Sequence, residues 1–283
     1  MRLHNPTADL FVPDGRPLEE ALSRITHLGV GAHQDDLEFM AFHGIAECFR
    51  QPDRWFGGVT CTNGSGSPRS GRYAGYSDDQ MQAVRREEQR TAAVVGRYGV
   101  MAQLGYPSKT VKDPADPSLT DDLKQILSAM RPKVVYTHNL ADKHDTHVAV
   151  TRALLRALRD LPSTQPPPAL YGCEVWRDLD WLPDQDKIVL DVSGSGHLAA
   201  ALNGVFDSQI AGGKRYDLAT QGRRRAHATF FESHATDKST EVIFAMDLTP
   251  ILVDRSLDEF AYVGGLIDRF KAEVAAKLPI RRK

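Results

Sequence analysis

The sequence ITHLGVGAHQDDLE, residues 25–38, changes its apolar spacing half-way along. Residues 25–32 form a short apolar run rich in small and branched side chains, which is typical of a buried strand. Over residues 37–49 the apolar side chains return every three or four positions, which predicts a helix. The polar segment His-Gln-Asp-Asp, residues 33–36, therefore lies at the carboxyl end of a buried strand and just before a helix.

The same alternation continues along the chain. The further predicted strands are residues 56–61, 134–137, 169–175, 187–192 and 242–248. The further predicted helices are residues 81–98, capped by Asp78 or Asp79, and residues 119–130, 148–158, 198–210 and 257–276. Strands that alternate with helices predict an α/β fold, with a mostly parallel sheet flanked by helices and a smaller C-terminal β/α extension.

The length of 283 residues suits a single α/β domain. We expect one domain over residues 1–283, with a motif-bearing core at about 22–162 and an extension at about 169–283. The prolines of residues 163–168 predict a linker within that domain. Residues 1–20 are polar and interrupted by prolines, so we expect them to cross the surface as an arm.

The composition is 41% hydrophobic and 25% charged, which is typical of a soluble globular protein. Lys and Arg number 35 against 37 Asp and Glu, so the charge gives no reason to expect nucleic acid as a partner. The three cysteines are widely spaced and suit a reducing compartment. Neither a secretory signal nor an apolar stretch of about 20 residues is visible, so we expect a cytoplasmic protein without a membrane span.

A second polar motif, His144-x-x-His147, follows the predicted strand at residues 134–137. The carboxyl ends of the strands in an open parallel sheet line one crevice, where ligands bind. We therefore expect the two motifs to converge there, although more than a hundred residues separate them.

Two histidines and two carboxylates at one crevice indicate metal chemistry. A catalytic zinc site takes three nitrogen or oxygen ligands and leaves a position for water, and His33, Asp36 and His147 fit that count. Asp35 is then the candidate general base for the water, and His144 the candidate group for the oxyanion or the leaving amine. Iron or another divalent metal accepts the same ligand types.

The two motifs resemble those of one known family. AHQDDLE at residues 32–38 and HDTH at residues 144–147 are similar to the signatures of the LmbE/PIG-L family of zinc-dependent N-acetylglucosaminyl deacetylases, which usually read AHPDDxE and HPDH. RREE at residues 85–88 followed by Ala92 and Ala93, DVS at 191–193 and SQ at 208–209 are looser matches.

The resemblance implies a Rossmann-like fold, zinc, and removal of an acyl group from an amino-sugar nitrogen in a small molecule. By position it implies His33, Asp36 and His147 as metal ligands, Asp35 as the base, His144 as the acid or oxyanion group, and Arg85 as a contact to sugar hydroxyls. The chain departs from the family at Gln34, where a proline is usual. Thr146 replaces an aspartate that orients the catalytic histidine, a role for which Asp145 or Asp142 is available. GYPS at residues 105–108 replaces a loop with a substrate-binding aspartate.

Other interpretations of the sequence remain open. The reaction could instead be hydrolysis of a thiol conjugate or a natural-product amide, or the chain could be a non-catalytic sugar- or nucleotide-binding module. Assembly into a homo-oligomer is compatible with either. Arg85 suits a pairing with Glu88 as well as substrate contact. His138 is more typical of a structural histidine than of a site residue, and the arginines of residues 223–225 are more typical of a solvated face than of a phosphate-binding site.

Overall fold

The computed structural model describes residues 1–162 and 168–278 of the chain. Most of the predicted linker, residues 163–167, lies outside the described residues. The strands are β1 (Asp9–Phe11), β2 (His27–Gly31), β3 (Phe56–Thr62), β4 (Val100–Tyr106), β5 (Val134–His138), β6 (Ala169–Cys173), β7 (Lys187–Asp191) and β8 (Val242–Asp247). The helices are α1 (Leu18–Ser23), α2 (Asp36–Met40), α3 (Phe42–Cys48), α4 (Asp78–Val95), α5 (Ser108–Lys112), α6 (Ser118–Met130), α7 (Asp145–Arg159), α8 (Gly196–Gly204), α9 (Asp207–Ile210), α10 (Tyr216–Phe230), α11 (Thr249–Val253) and α12 (Glu259–Lys277).

The eight strands form one sheet in the order β1-β4-β3-β2-β5-β6-β8-β7. The five inner strands from β4 to β6 are parallel, whereas β1, β8 and β7 pair antiparallel with their neighbours. The α/β fold with a mostly parallel sheet is thus confirmed. After β2 the chain adds β3 and β4 on one side, and it later adds β5 and β6 on the other. The strand order therefore reverses between β2 and β5, which opens a crevice at their carboxyl ends.

The alternation Leu-Gly-Val-Gly in β2 sets how closely a helix approaches the sheet. Leu28 and Val30 face one apolar cluster with α6 and α7. Gly29 and Gly31 face the other side, where a Cβ on Gly29 would lie 2.8 Å from the ring of Phe56 and one on Gly31 would lie 3.0 Å from the Cβ of Asp36. The missing side chains let α2 lie directly on the strand, and this brings the start of α2 to the crevice.

Several predicted boundaries change in the structure. Part of the expected surface arm, β1, is an edge strand paired with β4. The helix expected at residues 37–49 divides into α2 and α3, because Ala41 leaves the helical conformation (φ −100°, ψ 14°). Ser77, rather than Asp78 or Asp79, caps α4 in a capping box with Gln80. Strand β4 and helix α10 were not among the predicted elements.

The C-terminal half also differs in detail from the expectation. The single helix predicted at residues 198–210 is two helices, α8 and α9. Its strands β7 and β8 continue the sheet of the first half, through the pairing of β8 with β6. None of the helices in residues 1–162 and 168–278 combines the length and apolar character that crossing a membrane requires.

A glycine in α3 gives a test of this packing. A Cβ on Gly44 would lie 2.5 Å from the ring of Tyr136 on β5, so we expect Gly44→Ala to lower the free energy of unfolding by about 1–3 kcal/mol. In the matched control, Gly264→Ala in α12 meets no atom within 4 Å, and we expect a gain of roughly 0.5–1 kcal/mol from helix propensity. Urea unfolding measures both. A Gly44→Ala protein as stable as the control would contradict the packing of α3 on β5.

Candidate metal centre

Three donor atoms meet in the crevice between β2 and β5. The Nδ1 atom of His33 lies 3.2 Å from Nε2 of His147 and 3.3 Å from Oδ2 of Asp36. The third separation, between Nε2 of His147 and Oδ2 of Asp36, is 3.6 Å. The segments after β2 and β5 therefore converge as the sequence predicts.

This triangle fits a metal ion. Ligand atoms about 2.0–2.1 Å from a tetrahedral zinc ion are separated by about 3.3 Å, close to all three distances. The Asp36 carboxylate also accepts a hydrogen bond of 2.6 Å from the backbone N–H of His33. Burial alone would raise the pKa of Asp36, but the His147 ring holds it well below its usual range. An ionised carboxylate and two imidazoles are a suitable donor set for zinc.

His138, which ends β5, lies in the same cluster. Its ring stacks on that of His147 at 3.7 Å between centroids, and its Nε2 lies 3.4 Å from Oδ2 of Asp36. Asp36, His138 and His147 thus form a second group of possible ligands. However, Nε2 of His138 already accepts a hydrogen bond of 2.9 Å from the backbone N–H of Ala32. That bond occupies its lone pair and favours His33 as the ligand.

Asp142 supports the position of His147. Its Oδ2 lies 3.6 Å from Nδ1 of His147, while Oδ1 accepts the backbone N–H of His144 at 2.9 Å. Asp145 is exposed at the start of α7. Of the two aspartates available to orient a histidine, Asp142 is therefore the one beside an imidazole ring. That ring belongs to His147, not to His144. Such an outer carboxylate fixes the orientation of a ligating imidazole.

Asp35 lies beside the cluster in a strained conformation. Its φ of 88° is in the left-handed region, which non-glycine residues rarely adopt. The side-chain oxygen of Gln89 accepts its backbone N–H at 3.1 Å, and the guanidinium of Arg85 lies 3.4 Å from its carboxylate. Burial raises the pKa of Asp35 to about 7, although Arg85 opposes the shift. A carboxyl group with such a pKa is well placed for proton transfer near neutral pH.

A buried network behind Asp35 holds this turn. Gln89 also donates a hydrogen bond of 2.8 Å to Glu38, and Glu38 accepts a second hydrogen bond, of 2.6 Å, from Tyr98. Burial raises the pKa of Glu38 to about 8. Arg85 donates to the backbone carbonyl of Gln34 as well as to Asp35. Arg85 is thus engaged by the turn itself, and its predicted contact with sugar hydroxyls stays a prediction.

His144 lies on the open side of the cluster. Its ring centroid is 5.0 Å from that of His33 and 4.5 Å from that of His147. Burial is the main cause that lowers the pKa of His144, and the nearby His33 lowers it further. The ring faces a cavity of about 590 Å³ that Asp35 and Asp36 also line. The loop at residues 63–68 reaches this cavity through Gly64, Gly66 and Ser67.

Of the two alternatives left open for Arg85, the pairing with Glu88 does not form. Glu88 instead accepts hydrogen bonds of 2.7 Å and 2.6 Å from the backbone and hydroxyl of Ser208. This contact joins the RREE segment of α4 to the SQ segment at residues 208–209, which were two of the looser sequence matches.

Comparison with known families and structures bears on this site. Residues 28–158 match the family model described as PIG-L: GlcNAc-PI de-N-acetylase, and both polar motifs lie within that span. The matched segment covers a little under half of the chain, so the similarity to the PIG-L family is that of this segment. No functionally curated protein matches the chain.

Several solved structures share the fold of this chain. The conserved protein TT1542 from Thermus thermophilus has 19% identity and a TM-score of 0.61, over 82% of this chain and 98% of that one. GalB, a 4-carboxy-2-hydroxymuconate hydratase from Pseudomonas putida, has 17% identity and a TM-score of 0.60, over 79% and 95%. The N,N'-diacetylchitobiose deacetylase from Pyrococcus horikoshii has 15% identity and a TM-score of 0.58, over 78% and 84%.

Helix α10 contributes cavity residues that were not among the predicted site residues. Tyr216 and Arg223 line the cavity, and the buried Arg224 donates to the backbone carbonyls of Glu38 and Phe39 at 2.9 Å and 3.0 Å. The expectation that residues 223–225 form a solvated face is therefore wrong for Arg224. A charge triplet within an amphipathic helix was the available signal, but it does not indicate which arginine faces inward.

The role of Asp142 can be tested through metal affinity. Asp142→Asn keeps the shape of the side chain but removes the negative charge that lies 3.6 Å from Nδ1 of His147, so we expect a roughly 10- to 100-fold loss of zinc affinity. Asp145→Asn, three positions along, is the matched control and should bind zinc like the wild type. Competition with a zinc-sensitive chelating dye measures both. Equal affinities in the two variants would exclude the orienting role of Asp142.

Proposed function

We propose that this protein is a zinc-dependent deacetylase that removes an acetyl or related acyl group from the amide nitrogen of an N-acetylglucosamine-type small molecule. The observation that carries the proposal is the triangle of His33, Asp36 and His147 beside the buried carboxylate of Asp35. The match of residues 28–158 to the PIG-L family model supports the same reaction. The deacetylase from Pyrococcus horikoshii shows that this fold can carry it.

In this proposal His33, Asp36 and His147 hold the metal. A bound divalent cation supplies Lewis acidity, which activates water and polarises the amide carbonyl. Asp36 brings the negative charge of the ligand set, and Asp142 holds the ring of His147 with Nε2 towards the cluster. His138 closes the inner side of the cluster by stacking on His147.

Asp35 then takes a proton from the attacking water. Its conformation, fixed by Gln89 and Arg85, holds the carboxylate at the cavity beside the ligand set. Because Arg85 contacts only one oxygen of this carboxylate, Oδ2, the other oxygen is available for the water. Asp35 is therefore proposed as the general base.

His144 is proposed to act on the other side of the scissile amide. Its ring lines the cavity next to His33, where it can donate a hydrogen bond to the developing oxyanion or a proton to the leaving amine. We also propose Arg85 as a contact to substrate hydroxyls, because it lines the same cavity.

We further propose that the whole chain is one domain. Strand β1 and the C-terminal strands β7 and β8 lie in the same sheet as the motif-bearing strands. Helix α10, from the second half, supplies part of the cavity wall. The C-terminal extension would then complete the substrate site rather than form a separate unit.

Metal content and amine release test the function together. We expect purified protein to carry one zinc-class ion per chain and to release amine from N-acetylglucosamine or a close derivative, and a chelator to abolish the release. His33→Gln should lose the metal, whereas His138→Gln should retain it, because an amide oxygen can still accept the N–H of Ala32. Elemental analysis of both variants checks the ligand set. Loss of metal in His138→Gln with retention in His33→Gln would transfer the ligand role to His138.

The base is tested by Asp35→Asn. Asparagine has nearly the same shape and tolerates the left-handed conformation, so the fold and metal content should stay near wild type. Without a proton acceptor, kcat should fall by about 100- to 10,000-fold. Steady-state kinetics with metal analysis of the same sample measures this. A variant with full activity would show that another group accepts the proton.

A further inference from the structure

Beyond the histidine cluster the cavity wall is aromatic. The ring of Trp176 lies 6.3 Å from that of His144, and Tyr216 follows at 6.1 Å from Trp176. Phe39 continues the series at 5.4 Å from Tyr216. All four side chains line the same cavity. A ring-shaped group extending from the cluster would therefore meet apolar aromatic surface.

Three cationic side chains line this cavity in addition to the buried arginines. Lys214 places its ammonium 5.2 Å from the ring centroid of Trp176, the aromatic residue that follows His144 along the cavity wall. Arg223 lies on α10 and donates to the backbone carbonyl of Val175, next to Trp176. Lys112 enters the wall from the end of α5.

The buried charges of the cavity already have partners. Arg85 contacts Asp35, and Arg224 is held by backbone carbonyls. Of the other two cavity carboxylates, Asp36 contacts His33 and His147, and Glu174 pairs with His227 at 3.0 Å. The charges of the cavity core are therefore largely compensated within the protein.

The charges of Lys112, Lys214 and Arg223, in contrast, are not compensated by a neighbouring carboxylate in the described part of the chain. Within residues 1–162 and 168–278, none of the three has a carboxylate within 4.0 Å. Lys214 and Arg223 are only partly exposed, so full hydration does not replace a partner for them. Cations grouped at a cavity of this kind attract and bind an anion.

We propose that the substrate carries an anionic group, a phosphate or a carboxylate, that binds at Lys214 and Arg223. The ring that bears this group packs against the aromatic wall, and its N-acyl group lies at the histidine cluster. This inference rests on the proposed deacetylase function for the reaction, but the anion preference itself is a property of binding. It makes Lys214 and Arg223 specificity-determining residues.

The test measures binding and turnover separately. Binding uses the deacetylated products, which the enzyme cannot hydrolyse: glucosamine 1-phosphate, glucosamine 6-phosphate and the carboxymethyl glycoside of glucosamine, each against the neutral methyl glycoside. Calorimetry gives their Kd values for the metal-loaded protein. Turnover uses the N-acetylated forms of the same four compounds. The phosphate and carboxylate arms identify which anion is preferred.

We expect at least one anionic product to bind about tenfold or more tightly than the neutral glycoside, with an advantage that shrinks in high salt. Lys214→Gln should remove most of this advantage, and Arg223→Gln should act in the same direction. Lys271→Gln, which removes the same charge from an exposed position on α12, is the matched control and should keep the preference.

The outcomes separate the inference from the function. If the neutral glycoside binds as tightly as all three anions, or if Lys271→Gln weakens the preference as much as Lys214→Gln, the anion site is wrong even when N-acetyl compounds are hydrolysed. If anions bind preferentially through Lys214 but no N-acetyl compound releases amine, the anion site stands and the deacetylase function fails.

Discussion

The structure depends on how one buried charge, the carboxylate of Asp36, is compensated. An ionised carboxylate in a protein interior is costly unless partners surround it. Here the partners come from both sides of the crevice: the backbone N–H and ring of His33 after β2, and the ring of His147 after β5. Three acceptor atoms within 3.6 Å of one another repel unless a proton or a cation lies between them. The same contact therefore joins two distant segments and creates a need for a positive charge.

The rest of the site follows from holding that contact in place. The glycines of β2 let α2 approach the sheet, and α2 begins with Asp36. On the other side of the turn, α4 presents Arg85 and Gln89 one helical turn apart, and both contact Asp35. Gln89 accepts its backbone N–H and Arg85 donates to its carboxylate. Burying this network costs desolvation free energy, but it leaves few alternative positions for the carboxylates. A preorganised site has this property.

Much of this arrangement is predictable from local sequence. A strand that ends in HQDD and a strand followed by HxxH are local patterns, and parallel-sheet topology brings their ends together, so the convergence of His33, Asp36 and His147 was predicted correctly. His138 was interpreted as a structural histidine, because a lone histidine at a strand end looks the same whether it stacks in a cluster or in a core. Arg224 was missed because its contacts to the carbonyls of Glu38 and Phe39 join segments 186 and 185 residues apart. Trp176 and Tyr216 gave no local signal either, since their role depends on the cavity they share.

The fold alone does not decide the chemistry, because similar folds occur in a deacetylase and in a hydratase. The central claim is that His33, His147 and Asp36 coordinate one cation, and the X-ray absorption spectrum of the zinc-loaded protein tests it most directly. The account predicts one zinc per chain, with two imidazole nitrogens and light oxygen donors at about 2.0–2.1 Å in a four-coordinate shell. A spectrum with sulfur scatterers, or one with zinc coordinated without any imidazole, would contradict it.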